Sequence, residues 1–214
     1  MNLPAKLLTE LVGTFVFLSV IALVPTSGPS APLAPVAIGT ALMVMVYMGG
    51  HISGAHYNPA VSLGLFLRRK IGVVTLVAYW VVQLAGGALA FVFGYLVSGH
   101  TPGIRPGTGV FTSSALAVEV LFTTALVLVV LNAAATRATE GNSFYGLAIG
   151  FTILAAAFVG GPISGGAFNP AVGIGPTVVN AMVGGGSWSH LWLYLVGPFA
   201  GGAIAAFVFR IQEV

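Results

Sequence analysis

The chain has no cysteine in 214 residues, and it has few charges: seven Lys or Arg against four Asp or Glu. Without cysteine there is no disulfide framework, no thiolate metal site and no thiol nucleophile. Charged residues make up 5% of the sequence, where an ordinary soluble domain carries about 25%. Such a chain cannot cover itself with a water-facing surface. The net charge of +3 rests on only seven Lys and Arg residues with no basic face, so no nucleic-acid partner is expected. Metal clusters, phosphate loops and nucleophiles paired with a base are also missing, so neither an enzyme nor a cofactor is expected.

What is abundant is apolar surface: 57% of residues are hydrophobic and the mean hydropathy is +1.04. A membrane-spanning helix takes roughly 20 apolar residues, so this length admits six or seven spans and no sizeable soluble domain. Apolar runs predict spans near 5–24, 34–50, 72–98, 113–134, 144–161 and 188–210. The first run follows Lys6 as a signal peptide would, but it contains Glu10 and is followed by more runs of the same kind. It reads as a retained span. The lipid bilayer is the first partner implied, and the expectation is an all-α membrane protein of one domain, residues 1–214.

Two apolar pieces are too short to cross: NPAVSLGLFLRRK, beginning at Asn58, and NPAVGIGPTVV, beginning at Asn169. About 11 residues at 1.5 Å each reach about 16 Å, half of a roughly 30 Å hydrocarbon core. They read as re-entrant half-helices from opposite sides. With the N-terminus inside, Lys6, Arg68, Arg69, Lys70, Arg137 and Arg210 fall on the cytoplasmic side and only Arg105 outside, which predicts cytoplasmic termini. Trp188, Trp192 and Tyr194 would then open the last span at the outer headgroup level.

The segment HISGAHYNPAV from His51 matches PISGGAFNPAV from Pro162 at seven of eleven positions. Glu10 precedes Asn58 by 48 residues, Glu119 precedes Asn169 by 50, and AGGALA at 85–90 is echoed by AGGAIA at 200–205. The chain therefore divides into a repeat of about 1–104 and another of about 112–214. Three spans per half is an odd number, so the second half is inverted. Inverted repeats place a functional site at the midplane between them.

In each Asn-Pro-Ala, the asparagine is a favoured N-cap and the proline sits where its missing N–H costs nothing. A single such tripeptide is an ordinary helix start. Two in repeat register, on half-length apolar segments, are not. Asn58, Pro59 and Ala60 would meet Asn169, Pro170 and Ala171 near the bilayer centre, each start carrying the partial positive charge of its helix dipole. Cations are repelled there and neutral solutes are not.

The small-residue stretches before each start, with Gly54, Ala55, His56, Gly165 and Ala167, are irregular backbone at membrane depth. Such backbone survives only where it is buried or lines a cavity, and it predicts a ladder of carbonyls on a solute path. Glu10 and Glu119 are ionisable groups inside apolar runs, each costing at least about 2.5 kcal/mol there. Bracing of the loops explains both; proton carriage in an ion- or proton-coupled transporter is the alternative. His51 and His56 have no third ligand near them, so no metal site is expected.

With these features the sequence resembles the aquaporin or major intrinsic protein family over essentially its whole length. The resemblance implies six spans plus two half-helices, a passive channel for water and small neutral solutes, and a homotetramer of independent pores with Asn58 and Asn169 at the constriction. A plasma membrane location is expected. The family's selectivity filter maps by spacing onto Ile38, Ala157, Gly166 and Val172. Water-selective members usually carry an aromatic, a histidine, a small residue and an arginine at these positions. Valine in place of the arginine resembles plant vacuolar members of broader permeability. Glycerol facilitators typically carry Arg-Asp where this chain has Val172-Gly173. A filter of these four residues is either wide and wet, passing water, ammonia, urea or glycerol, or narrow, apolar and prone to dewetting.

Overall fold

A computed structural model describes residues 1–25, 27–185 and 188–212. Among these described residues eight α-helices run in the order α1 (Leu3–Leu23), α2 (Ala34–Ser53), α3 (Pro59–Leu67), α4 (Val73–Ser98), α5 (Thr112–Ala134), α6 (Tyr145–Ser164), α7 (Pro170–Met182) and α8 (Leu191–Gln212). Six of them, all but α3 and α7, are long and apolar enough to cross a membrane. The remaining two have 9 and 13 residues. The protein is an integral, multi-pass membrane protein, and an even number of crossings puts both termini on one face.

Local chemistry sets most helix ends. Asn2 caps α1 by accepting from the Ala5 N–H at 3.0 Å. Gly54 and Gly165 stop α2 and α6 in the left-handed region, at φ 91° and 92°. The fifth span runs three residues beyond its expected end at 161, because Pro162 is accommodated in the last turn of α6. Proline inside a helix is tolerated in membranes, where neighbours satisfy the freed carbonyl.

Helix α1 packs on α2 and α4, α5 packs on α6 and α8, and α2 crosses α6. At that crossing a Cβ on Gly39 would lie 2.8 Å from the Gly150 carbonyl oxygen, and one on Gly150 would lie 2.6 Å from that of Gly39. Small residues let backbones meet where lipid supplies no hydrophobic drive for association. The half-helices are exchanged between the halves: α3 lies against α8 and α7 against α4. Gly202 makes room for the Ala60 carbonyl and Gly87 for Ala171. Large apolar side chains such as Val81, Leu121 and Phe207 are more than 60% exposed, a surface suited to lipid.

One expectation about the last span is corrected. Trp188 and Trp192 are half-exposed near its start, but Tyr194 is 1% exposed. Its hydroxyl donates to the Ser164 carbonyl at 2.6 Å. A buried acceptor within reach outweighs the headgroup preference of the ring.

Candidate solute pathway

The two segments that join α2 to α3 and α6 to α7 have an unusual backbone. Gly54, Ala55 and Tyr57 in the first, and Gly165, Gly166 and Phe168 in the second, all have φ between 48° and 92°. For aromatic residues this is strained. The strain is held by buried acceptors. Glu10 accepts from the Ser53 hydroxyl (2.7 Å), the His56 N–H (2.9 Å), the Tyr57 N–H (2.8 Å) and the Gln83 amide (2.9 Å). Glu119 accepts from the Ser164 hydroxyl (2.7 Å), the Ala167 N–H (3.0 Å) and the Phe168 N–H (2.7 Å). The serine oxygens in turn accept from the Ala55 and Gly166 N–H groups.

These donors fix the direction of the carbonyls. In a trans peptide the N–H and the preceding C=O point opposite ways, and there are no cis bonds among the described residues. When the N–H groups of residues 55–57 and 166–168 face the braces, the carbonyls of Gly54, Ala55, His56, Gly165, Gly166 and Ala167 face away from them. A cavity of about 470 Å³ lies there, with Ala55, His56, Gly165, Gly166 and Ala167 in its wall. Gly54 instead lines a second cavity of about 570 Å³, which opens on the face bearing the termini beside His51, Arg137 and Tyr145. Ile149 borders both cavities.

Between the loops the two helix starts meet. Asn58 and Asn169 cap α3 and α7 by accepting from the Ala60 and Ala171 N–H groups at 2.8 and 2.9 Å. The Asn58 amide also donates to the Phe168 carbonyl, and the Asn169 amide to the Tyr57 carbonyl, both at 2.9 Å. A carboxamide has two N–H donors, so each asparagine keeps one N–H beyond this cross-link. Both residues border the first of these cavities. The cavity wall thus combines amide donors where the helix starts meet with loop residues whose carbonyls face away from the braces. Pro59 and Pro170 occupy the first helical positions, and Ala60 and Ala171 are buried.

The rest of the wall is apolar. Phe17, Ile21, Leu42, Val61, Leu126, Val130 and Ile153 line it, and Pro25, Pro32, Pro102 and Ile104 surround its end away from the termini. Ile38, Ala157 and Gly166 contribute to the wall, whereas Val172 does not. Val172 is 1% exposed and belongs to the packed core; a short branched side chain in the first turn of α7 turns into the protein.

Sequence reasoning missed three supports. The Tyr79 and Tyr194 hydroxyls donate to the Ser53 and Ser164 carbonyls at 2.7 and 2.6 Å. Each tyrosine precedes its paired glycines by seven residues, a repeat signal that could have flagged them. Gln83 joins Glu10 to Ser62, and Ser62 joins His56 at 3.0 Å. A lone glutamine in an apolar run was the available sign. His56 is thus a loop residue held by a hydroxyl, and no group of three potential metal ligands occurs among the described residues.

Comparison with known proteins places this arrangement. The family model described as major intrinsic protein matches residues 2–209. Aquaporin TIP1-1 of Zea mays is 37% identical over 191 residues, covering 86% of this chain and 74% of its own length. The glycerol uptake facilitator protein-like 6 of Lactiplantibacillus plantarum is 34% identical, with 97% of each chain covered. In three dimensions the chain is similar to the X-ray structure of the aquaglyceroporin from Plasmodium falciparum, with a TM-score of 0.84 at 22% identity, covering 97% of this chain and 96% of that one.

Proposed function

The chain belongs to the major intrinsic protein family, and we propose that it forms a passive pore by which water and small neutral solutes cross a bilayer down their gradients. One observation carries this reading: the two capped half-helix starts, tied to each other through Asn58 and Asn169, lie on a cavity with acceptors along part of its wall. A neutral solute exchanges its water hydrogen bonds for these donors and acceptors. A cation finds no opposite charge there and faces two positive dipole ends in a low dielectric.

Asn58, Pro59, Ala60, Asn169, Pro170 and Ala171 form the central constriction, and the loop carbonyls form the track. Ile38, Ala157 and Gly166 with Val172 behind them form a permissive filter that passes glycerol, urea or ammonia as well as water. Small and apolar side chains at these positions, with no cation among them, support that breadth. The names of the relatives, an aquaporin and a glycerol uptake facilitator, span the same range. The pore works as one unit of a homotetramer in the plasma membrane. The termini are cytoplasmic, since six of the seven Lys and Arg residues fall on their side of the chain.

The test is stopped-flow light scattering on proteoliposomes under osmotic shock. With an impermeant osmolyte, shrinkage faster than in empty liposomes is expected. With glycerol or urea, rapid reswelling follows. Shrinkage at the rate of empty liposomes refutes the pore, and shrinkage without reswelling restricts it to water.

A further inference from the structure

The filter position that carries a cation in water-selective members is valine here, and Val172 does not reach the cavity. We infer that Arg105, in the connection between α4 and α5, takes over as the charge-selecting residue at the pore's outer mouth. This rests on the pore reading above.

Three observations lead to it. First, among the described residues Arg105 is the one Lys, Arg, Asp or Glu on the face opposite the termini. The other cations lie at the terminal face, Glu10 and Glu119 are consumed by the loops, Glu140 lies in the α5–α6 connection and Glu213 follows α8. Among the described residues no carboxylate on that face offsets the guanidinium. Second, the Arg105 backbone abuts the cavity wall, of which Arg105 itself is not a part. Its N and O atoms lie 2.9 and 2.7 Å from where a Cβ on Gly165 would stand, and Gly165 is a wall residue, as are Pro102 and Ile104. Third, the rim is fastened: Gly107 donates its N–H to the Ile163 carbonyl at 3.0 Å, and the close approach of the Pro162 oxygen leaves no room for a side chain at Gly107.

The Arg105 side chain is exposed. Its charge therefore acts on the vestibule through water and the low-dielectric wall, within about one Debye length at physiological salt. Cations are depleted from the outer half of the path, anions are enriched, and neutral solutes are unaffected. The half-helix starts then act on a mouth that has already been sorted by charge.

The absence of cysteine permits a direct test. Gly161 lines the cavity, and a Cβ there meets nothing within 4 Å. Gly161→Cys in proteoliposomes is treated with a cationic and with an anionic methanethiosulfonate. Each modification rate, followed by mass spectrometry, is divided by that of a free thiol. A unit charge about 10 Å away through a water-rich mouth changes each rate about threefold, so the anion-to-cation ratio changes about tenfold. The ratio is expected to exceed one, to fall about tenfold when Arg105→Gln is added, to persist with Arg105→Lys, and to collapse in about 1 M salt. A ratio unchanged by Arg105→Gln, or lost equally with Arg105→Lys, overturns the assignment. Osmotic shrinkage of liposomes holding the unsubstituted protein separates the two readings. Absent water flux rejects the pore, whereas normal flux with an indifferent ratio rejects Arg105 alone.

Discussion

Glu119→Ala removes the acceptor of three hydrogen bonds at once: from the Ser164 hydroxyl, the Ala167 N–H and the Phe168 N–H. The hydroxyl has an alternative, since the Gly160 carbonyl lies 3.3 Å away. The two amides do not, and at this depth no lipid group replaces the carboxylate. A buried donor left without its acceptor costs about 1–3 kcal/mol, so the loop loses about 2–6 kcal/mol and its left-handed Phe168 is released. Glu119→Gln is milder. Its oxygen can serve Ala167 and Ser164, but its NH₂ then faces the Phe168 N–H, a loss of about 1–3 kcal/mol. Thermal midpoints in detergent should therefore fall in the order wild type, Gln, Ala, and water flux per folded protein should fall in the same order. A proton carrier makes the opposite prediction for Glu119→Gln, which would be fully stable and yet transport nothing. That outcome, with uptake in the parent driven by a pH gradient, would refute the bracing argument.

Gly202→Ala should lower the thermal midpoint by the equivalent of about 1–3 kcal/mol, because the new Cβ lies 2.7 Å from the Ala60 carbonyl oxygen; Gly161→Ala, with open space, should not. Val172→Arg needs an exit for a long side chain along the cavity wall, and should slow glycerol or urea reswelling more than osmotic shrinkage; equal slowing would reject position 172 as part of the filter. Asn169→Asp sets an acceptor against the Tyr57 carbonyl and a negative charge between the dipole ends, so proton leak reported by an internal pH dye should rise, and a leak at background would reject the dipole account.

The spans were legible because lipid imposes a simple rule on them, a run of apolar residues of fixed length. The half-helices were legible for the converse reason, being apolar and too short. Glu10 and Glu119 could be assigned to the loops because each stands at nearly the same distance before its Asn-Pro-Ala. Less accessible was anything decided by what stands opposite in space. Tyr194 reads as an interfacial ring until the Ser164 carbonyl beside it is known. Pro162 reads as a helix end, yet α6 continues past it to Ser164. Val172 is placed by spacing alone, and spacing does not tell which way a side chain turns in the first turn of a helix. The cross-links of the two asparagines join residues 110 and 112 positions apart, beyond the reach of any local pattern.

Those same cross-links bear on how the molecule is made. A chain that has threaded only its first four helices into the bilayer holds Asn58 and Tyr57 at a centre whose partners, Phe168 and Asn169, do not yet exist. Its first half-helix also lacks α8, the wall it is built to lean on. Each loop has its brace within its own half, but the cross-links between the two helix starts wait for the second half, so closure of the conduit belongs to the end of biogenesis.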